Sequence, residues 1–389
     1  MREGHRILDA DRHVIEPVEL WREYLEPEFR AGAPYQVCPG ADEPTAERMR
    51  RLGPKGILSP PPTLMLDGQP VADRLTEHIE FEFRWTMFLR ANSTAAGWQP
   101  ELQLQAMDRT GVDRCLLFPS LTLALLAVEG MAPKRATAFA RAYNRWLQDY
   151  CRLSPERLLA AGVLSLRDPE GAVQEAERVA GLGWKVVTVL PNPVERRTLG
   201  HPAYEPVWAV CEKYSLAVAL HTSTHLRLPT AGADRFETRY AQHACAHPLE
   251  QMMAFLALLE GGVLERHPSL RVAFLEAGCG WVPYWLWRLD EGLGFGSSEV
   301  SKNIRMKPSD YFRRQCFVTV EPDEPYLADV IKHLGPDSLL FGSDFPHLDH
   351  TEDSVERVVA LRAQMPESVL RKLLAENPAR FCGLAGWPG

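Results

Sequence analysis

Eight short apolar runs, each followed by a segment of helical character, constrain the fold of this chain more than any other feature. The runs are rich in Val, Leu, Ala and Phe and lie at residues 6–13, 112–119, 158–166, 184–190, 216–221, 270–276, 317–321 and 338–344. Nearly continuous apolar strands are typical of a parallel sheet that is covered on both faces. Eight such units in one α/β chain predict a closed (β/α)8 barrel, the TIM barrel. A doubly wound open sheet is the alternative, but no glycine-rich phosphate loop follows the first run.

A long region of weak periodicity separates the first run from the second. We expect a single barrel domain over residues 1–389, with residues 28–100 as an insertion after the first strand. Segments such as residues 53–56 and 59–62 are rich in glycine and proline and cannot continue a helix or a strand. A connection of this length often covers a site. We therefore expect the insertion to cover the mouth of the barrel, with a helix at residues 80–88.

Charge and cysteine usage exclude several classes of function. The formal net charge is −8 and no block of Lys or Arg occurs, which argues against nucleic-acid binding. The longest apolar stretch, residues 115–128, is too short to span a bilayer, and the first residues lack the apolar run of a signal peptide. The eight cysteines are scattered without a CxxC pair, which favours reduced thiols. We expect a cytoplasmic protein with a small-molecule substrate and no membrane partner.

The first run ends in an unusually polar stretch, residues 9–17. With a side-chain period of two, Asp9, Asp11 and His13 point to one face of the strand. Two carboxylates and an imidazole on a core strand are costly to desolvate unless a cation meets them, and a divalent metal is the simplest such partner. An exposed polar strand terminus is the alternative interpretation.

Further ionisable residues follow other apolar runs. His221 ends the fifth run, Glu276 the sixth and Asp344 the eighth. Because the carboxyl-terminal ends of barrel strands face the active site, these side chains should lie near Asp11 and His13. Two imidazoles and two carboxylates suit one divalent ion, with zinc as the first choice and manganese or iron as alternatives. Whether Glu16 also binds the metal stays open.

Several ordered motifs resemble the amidohydrolase-related (amidohydrolase 2) family of metal-dependent barrels. The motifs are DADRHVIEP at 9–17, HPLE at 247–250, LRVAFLEAGCGW at 270–281, LLFGSDFPH at 339–347 and ENPARFCG at 376–383. The similar branch includes the aminocarboxymuconate-semialdehyde and resorcylate decarboxylases. The resemblance implies a TIM barrel, a homodimer, and a ligand set that corresponds here to Asp11, His13, His221 and Asp344.

Two departures from the family pattern determine the expected reaction. The first-strand pair is Asp-x-His rather than His-x-His, and Glu276 occupies the strand-six position where decarboxylating relatives carry a histidine. A carboxylate protonates carbon at neutral pH only if its pKa is raised. The first hypothesis is therefore a hydrolase that attacks an amide, ester or lactone-like bond with metal-activated water. The alternatives are a non-oxidative decarboxylase of an aromatic or dienoic acid, and a binding barrel that has lost its metal.

Two residues are predicted to act in catalysis. Glu276 would serve as the general base, and His247, placed in a loop that enters the next helix, would bind or protonate the substrate. His243 and His247 have the spacing of a helical metal pair, which we consider the weaker interpretation because Pro248 follows at once. Glu250 is interpreted as a carboxylate that complements a helix dipole.

Two residues are predicted to bind the substrate. Arg288 would hold a substrate carboxylate, with an exposed ion pair on an outer helix as the alternative. His225 lies close in sequence to the predicted ligand His221, and His347 lies close to Asp344. We expect both histidines to support the neighbouring ligands, and His225 also to contact the substrate.

Overall fold

The computed structural model describes residues 2, 4–37, 63–71, 99–222, 228–347, 353–384, 386 and 387. Within them, the barrel strands β1 and β5–β11 form one parallel eight-stranded sheet in chain order, and β2–β4 form a small antiparallel sheet. The strands are β1 (Leu8–Val14), β2 (Tyr35–Val37), β3 (Thr63–Leu66), β4 (Gln69–Pro70), β5 (Arg114–Pro119), β6 (Leu158–Val163), β7 (Val186–Val189), β8 (Ala217–Leu220), β9 (Val272–Phe274), β10 (Cys316–Val320) and β11 (Leu339–Phe341). The predicted (β/α)8 barrel is confirmed.

Helices cover the outside of the barrel strands. They are α1 (Glu19–Tyr24), α2 (Pro100–Thr110), α3 (Thr122–Leu126), α4 (Pro133–Cys151), α5 (Pro169–Gly181), α6 (Glu205–Lys213), α7 (Arg239–Glu260), α8 (Val263–Arg266), α9 (Trp281–Val300), α10 (Pro308–Gln315), α11 (Leu327–Leu334), α12 (Ser354–Ala360), α13 (Glu367–Arg371) and α14 (Asn377–Phe381). Short 3-10 turns lie at Pro27–Gly32, Pro202–Tyr204 and Leu361–Ala363, and a π-helical turn lies at Lys372–Glu376. Six helices were not predicted. The helices α1 and α2 lie in or next to the region of weak periodicity, and α3, α8, α10 and α14 are too short to show a clear helical period.

The lumen of the barrel is filled by small and medium apolar side chains. They include Leu8, Ala10, Leu116, Phe118, Ala161, Val186, Ala217, Ala219, Ala273, Leu275, Phe317 and Leu340. The lumen is therefore a packed core, and polar residues that follow the strands collect at its carboxyl-terminal end.

A register shift in β1 corrects one prediction about the first strand. The pairing of β1 with β5 shifts between Asp9 and Arg12. Leu8 and Ala10 pack in the lumen before the shift, whereas Asp11 and not Asp9 joins the cluster of metal-binding side chains described below. The prediction that Asp9 shares a face with Asp11 is wrong, because a bulge of this kind breaks the side-chain period of two.

The described parts of the insertion pack on the barrel. Leu66 and Val71 are buried in the main core. Arg135 on α4 pairs with Asp67 at 2.7 Å and donates to Gly32 O at 2.5 Å. The predicted helix at residues 80–88 lies outside the described residues, and the covering of the barrel mouth stays a prediction.

Two further expectations concern membranes and thiols. No helix in the described parts of the chain is long and apolar enough to cross a membrane. The seven cysteines that the structure describes are all free thiols. Burial raises the pKa of Cys115, Cys211 and Cys382 to about 12, so these thiols are unreactive and act as small apolar side chains.

Candidate metal centre

Four ionisable side chains from three strands meet at the carboxyl-terminal end of the barrel. Asp11 and His13 lie on β1, His221 directly follows β8, and Asp344 lies shortly after β11. One ligand atom of each residue lies within 4.8 Å of the others, and all four residues are buried. The structure thus brings together the four side chains that the sequence analysis names as metal ligands.

Backbone carbonyl groups orient both imidazole rings of the cluster. Nδ1 of His13 lies 3.0 Å from Pro119 O, and Nδ1 of His221 lies 2.9 Å from Thr222 O. Because a carbonyl oxygen only accepts, each Nδ1 carries a proton, and Nε2 is the nitrogen whose lone pair can bind a metal ion. The two Nε2 atoms face each other at 2.9 Å. Asp11 Oδ1 lies 3.4 Å from Nε2 of His221 and 3.5 Å from Nε2 of His13. Lone pairs that converge in this way fit a divalent cation.

A proton on His13 takes the place of the cation when no metal is bound. Burial opposes protonation, but the negative carboxylates of Asp11 and Asp344, which accept hydrogen bonds from the ring, outweigh burial and raise the pKa of His13 to about 10. Burial likewise disfavours the Asp344 carboxylate, but His347 and His13 hold the pKa of that carboxyl well below its usual range. The cluster therefore attracts positive charge, and a metal ion has to displace the proton on His13.

The backbone around Asp344 is pressed against β1. The φ angle of Asp344 is +49°, in the left-handed region that costs a residue other than glycine about 1–3 kcal/mol. The N–H groups of Ser343 and Asp344 donate to Asp11 O at 3.1 and 2.7 Å. A Cβ on Gly342 would lie 2.6 Å from Asp11 Cβ, so only glycine permits this approach. These contacts place the Asp344 carboxylate beside that of Asp11.

Glu276 and His247, the two predicted catalytic residues, lie beside the cluster. Glu276 follows β9 with a φ angle of +53°, and its Oε2 lies 3.5 Å from Nδ1 of His221. Nδ1 of His247 lies 2.7 Å from the carbonyl oxygen of Glu276 and 3.9 Å from its Oε2. Nδ1 therefore donates to the carbonyl, which fixes the orientation of the His247 ring.

His247 lies inside a helix, which corrects the prediction that it lies in a loop that enters the next helix. The helix α7 contains Pro248, and the Thr238 side chain caps its amino-terminal end. The proline removes one backbone hydrogen bond, and a long helix retains the others. The ring of His243 packs on that of His247 with centroids 4.4 Å apart. The groups of described side chains that could hold a metal do not include His243.

Glu250 is a buried carboxyl whose environment the sequence did not reveal. It is 2% exposed, its Oε1 accepts the N–H of Ala231 at 2.5 Å, and its Oε2 has no hydrogen-bond partner in the described parts of the chain. Desolvation raises the pKa of Glu250 to about 7, against the opposing hydrogen bond from Ala231. Because Glu250 lies in the middle of α7, its interpretation as a dipole-complementing carboxylate at the helix terminus is wrong. A carboxyl that titrates near neutral pH, one turn after His247, is a candidate for proton transfer.

Glu16, whose role as a ligand stayed open, is engaged elsewhere. Its carboxylate accepts hydrogen bonds from the N–H groups of Ser120, Leu121 and Thr122 and from the hydroxyl of Thr122, at 2.7 to 3.2 Å. These bonds anchor the loop after β5 and account for the burial of Glu16.

His347 contacts the ligand Asp344, in agreement with the supporting role that its nearby sequence position predicts. Its Nδ1 lies 2.8 Å from Asp344 Oδ1, and its Nε2 lies 2.8 Å from the hydroxyl of Ser120. Its ring packs on that of His13 with centroids 4.0 Å apart. His347 therefore orients one carboxylate and one imidazole of the cluster.

The two residues predicted to bind the substrate have different outcomes. Arg288 lies on α9 with 54% of its side chain exposed, and it pairs with Glu291 at 3.0 Å. The structure thus places Arg288 in the exposed ion pair that was its alternative, so we withdraw it as a substrate-binding residue. His225 lies outside the described residues, and its role stays a prediction.

Comparison with known proteins identifies the class of this chain. The amidohydrolase family model (Amidohydro_2) matches residues 9–384. The chain belongs to this family of metal-dependent barrel enzymes.

Individual relatives make the comparison more specific. The 2-amino-3-carboxymuconate-6-semialdehyde decarboxylase of Dictyostelium discoideum is 24% identical over 288 residues, which cover 74% of this chain and 77% of that protein. The gamma-resorcylate decarboxylase of Rhizobium radiobacter is 28% identical over 272 residues, which cover 65% and 79%. The structure of a 5-carboxyvanillate decarboxylase mutant from Novosphingobium aromaticivorans, with bound manganese, has a TM-score of 0.72 at 18% identity and covers 98% of both chains.

These relatives overturn the first functional hypothesis. They are named decarboxylases, so the expectation of a hydrolase is wrong. The hydrolase hypothesis rests on Glu276 at the strand-six position, where the resemblance places a histidine. In the structure the ring of His247 on α7 lies beside Glu276 and bonds its backbone carbonyl, so a histidine is present next to the strand-six carboxylate. The comparisons do not support zinc over other divalent ions.

Proposed function

We propose that this chain is a metal-dependent, non-oxidative decarboxylase of a small aromatic or dienoic acid. The observation that carries the proposal is the cluster of Asp11, His13, His221 and Asp344 with the imidazole of His247 beside it. The named decarboxylases among the relatives support the reaction type. The reaction breaks the bond between carbon and carboxylate and forms a C–H bond, so that R–COO⁻ and H⁺ give R–H and CO2. The site must therefore orient the acid and deliver one proton to carbon.

We propose manganese as the bound ion, ahead of zinc. Carboxylate ligands suit manganese and imidazole ligands suit zinc, so the mixed donor set admits both. The manganese in the structure of a 5-carboxyvanillate decarboxylase favours the former. When bound, the ion would supply Lewis-acid charge that attracts substrate oxygen atoms and stabilises negative charge.

His247 is the residue that we assign to proton delivery. Its Nδ1 donates to the carbonyl oxygen of Glu276 at 2.7 Å, which leaves Nε2 as the nitrogen that exchanges a proton with the substrate. General acid catalysis of this kind contributes about 10²–10⁴-fold to a rate. Glu276 acts here mainly through its backbone, which orients the ring of His247. Glu250, with a pKa of about 7, would exchange protons with His247 between turnovers.

The test is a panel of hydroxybenzoic and dienoic acids, with CO2 release measured for the wild type and two variants. We expect release from at least one acid, its loss on metal chelation, and its recovery when Mn²⁺ is restored. His247→Asn should lower the rate at least about 100-fold while metal content is kept. Arg288→Ala, at an exposed ion pair, should have little effect. No release from any acid, together with hydrolysis of an amide or ester panel, would contradict the proposal.

A further inference from the structure

Asp9 lies next to the metal cluster. It forms hydrogen bonds with the two chain segments that carry the cluster carboxylates Asp11 and Asp344. It is fully buried on β1. Its Oδ1 accepts the N–H of Ser343 at 2.8 Å and the N–H of Asp11 at 3.3 Å, and its Oδ2 accepts the hydroxyl of Ser343 at 2.5 Å. One carboxylate thus binds the backbone of Asp11 and the residue that precedes Asp344.

These bonds occur at the seam where the barrel closes. The neighbouring strands from β1–β5 through β10–β11 pair by parallel ladders, of which β1–β5 carries the register shift between Asp9 and Arg12. Between β1 and β11 the described residues form one isolated bridge, Arg12 with Phe345, and the N–H of His13 donates to Phe345 O at 2.8 Å. The N–H groups of Ser343 and Asp344 also donate to Asp11 O. The side-chain bonds of Asp9 add to these backbone bonds in holding the two segments in register.

Arg12 holds the Asp9 carboxylate in place. The Arg12 side chain is 1% exposed, its Nη1 lies 3.3 Å from Asp9 Oδ2, and its guanidinium lies 4.2 Å above the ring of Phe345. Its Nε and Nη2 have no hydrogen-bond partner among the described residues. A buried guanidinium with one carboxylate partner is costly, so the pair is retained at a cost in stability.

We propose that Asp9, held by Arg12, is a positioning residue that sets the spacing of the metal ligands Asp11 and Asp344. This inference rests on the proposed function, because it concerns the metal centre that the proposed reaction uses. The Ser343 hydroxyl is the second member of the unit, since it bonds Asp9 and also accepts the N–H of Phe345 at 3.2 Å. Without the unit, Asp344 would lose the support that holds its left-handed backbone conformation next to Asp11.

The experiment measures the Kd for Mn²⁺ of metal-stripped protein by competition with a chromogenic chelator. The variants are Asp9→Ala, Asp9→Asn and Ser343→Ala, with thermal unfolding of each metal-free protein recorded separately. Asn377→Ala is the matched control, because Asn377 is also buried and bonds Pro336 O and Leu339 O at 2.7 and 2.8 Å, at the opposite end of β11.

We expect Asp9→Ala to weaken Mn²⁺ binding by about tenfold or more, and Ser343→Ala to weaken it in the same direction. Asp9→Asn should rescue part of the affinity, because its amide oxygen still accepts the two N–H groups. Asn377→Ala should lower the unfolding temperature and leave the Kd within about twofold. If Asp9→Ala does not fold, Ser343→Ala decides the question.

Two results would overturn the inference alone. One is a wild-type Kd in both Asp9→Ala and Ser343→Ala, and the other is an equal loss of affinity in Asn377→Ala, which would show a general effect of stability. A wild-type chain that binds no Mn²⁺ would instead contradict the proposed metal centre together with this inference. The failures are therefore distinguishable.

Discussion

Two clusters of histidine and carboxylate in this molecule have similar composition and different chemistry. In the first, Nδ1 and Nε2 of the buried His267 lie 2.8 Å from Glu212 and 2.9 Å from Glu205. In the second, the metal cluster, the Nδ1 atoms of His13 and His221 donate hydrogen bonds to backbone carbonyl oxygens. The two Nε2 atoms there face each other at 2.9 Å.

The orientation of the imidazole rings therefore marks a metal site better than the residue composition of the cluster does. In the His267 cluster each carboxylate also binds another donor, with Arg266 on Glu205 and Ser269 on Glu212. Every ring nitrogen there already has a carboxylate partner, so the cluster joins α6 to the segment before β9. In the metal cluster, carbonyl groups turn the nitrogen lone pairs toward one point, where a cation satisfies them.

Replacing one histidine of each cluster by alanine should give the largest difference in activity between two variants. His221→Ala should abolish metal binding and lower the decarboxylation rate at least about 100-fold, since it removes a ligand. His267→Ala, equally buried, should keep the rate within about twofold and lower the free energy of unfolding by about 1–3 kcal/mol. Steady-state rates, metal content and urea denaturation measure the three quantities. Comparable loss of activity in both variants would remove the distinction between the clusters.

Glu250 extends the comparison, because it is a buried carboxyl with no cationic partner among the described residues. Its pKa is raised from 4.5 to about 7, so the folded state binds this proton more tightly than the unfolded state. The stabilising contribution is complete below pH 4.5 and is lost as the pH rises through about 7. Glu250→Gln should therefore raise the free energy of unfolding above pH 7 by up to about 3 kcal/mol.

The measurement for Glu250 is urea denaturation of metal-free protein between pH 4.5 and 8. The difference between wild type and Glu250→Gln should be near zero at the acidic end and grow with pH. A constant difference over this range would contradict the assignment of the titration to Glu250.

Replacing Glu212 should have the smallest effect on the free energy of unfolding. The pH dependence of its contribution has the opposite sign to that of Glu250. Burial opposes its ionisation, but hydrogen bonds from Ser269 and His267 outweigh burial and lower the pKa of Glu212 below 4.5. Its stabilising contribution is therefore present above that pH and is lost as the pH falls. Glu212→Gln should cost about 1 kcal/mol at pH 7 and less in acid. Urea denaturation of the wild type and of Glu212→Gln at pH 7 and in acid tests this prediction. A loss of unfolding free energy that is larger in acid than at pH 7 would refute it.

The alternation of apolar runs and helices was enough to predict the barrel. Each run, including residues 216–221 and 270–276, contains a strand, because a doubly covered parallel sheet demands continuous apolar residues. Residues after the strands, such as His221 and Asp344, then follow from the geometry of the fold. The four side chains of the metal cluster are therefore the part of the site that sequence patterns predict best.

Features that depend on tertiary contacts escaped prediction. The bulge that turns Asp9 away from Asp11 depends on the pairing of β1 with β5. The continuation of α7 through Pro248 overrides a local signal for a helix start. The ring of His247 reaches the backbone of Glu276 from another element, and no spacing in the sequence shows this contact. The wrong reaction follows from the two departures at the first strand and at Glu276, whereas the four side chains of the metal cluster are predicted correctly.

The most direct test of the account is anomalous diffraction at the manganese edge from crystals of the Mn²⁺-loaded chain. If these residues form the metal centre, we expect one anomalous peak within coordination distance of Asp11, His13, His221 and Asp344. A structure with no peak there, or with its peak beside His267, would contradict it.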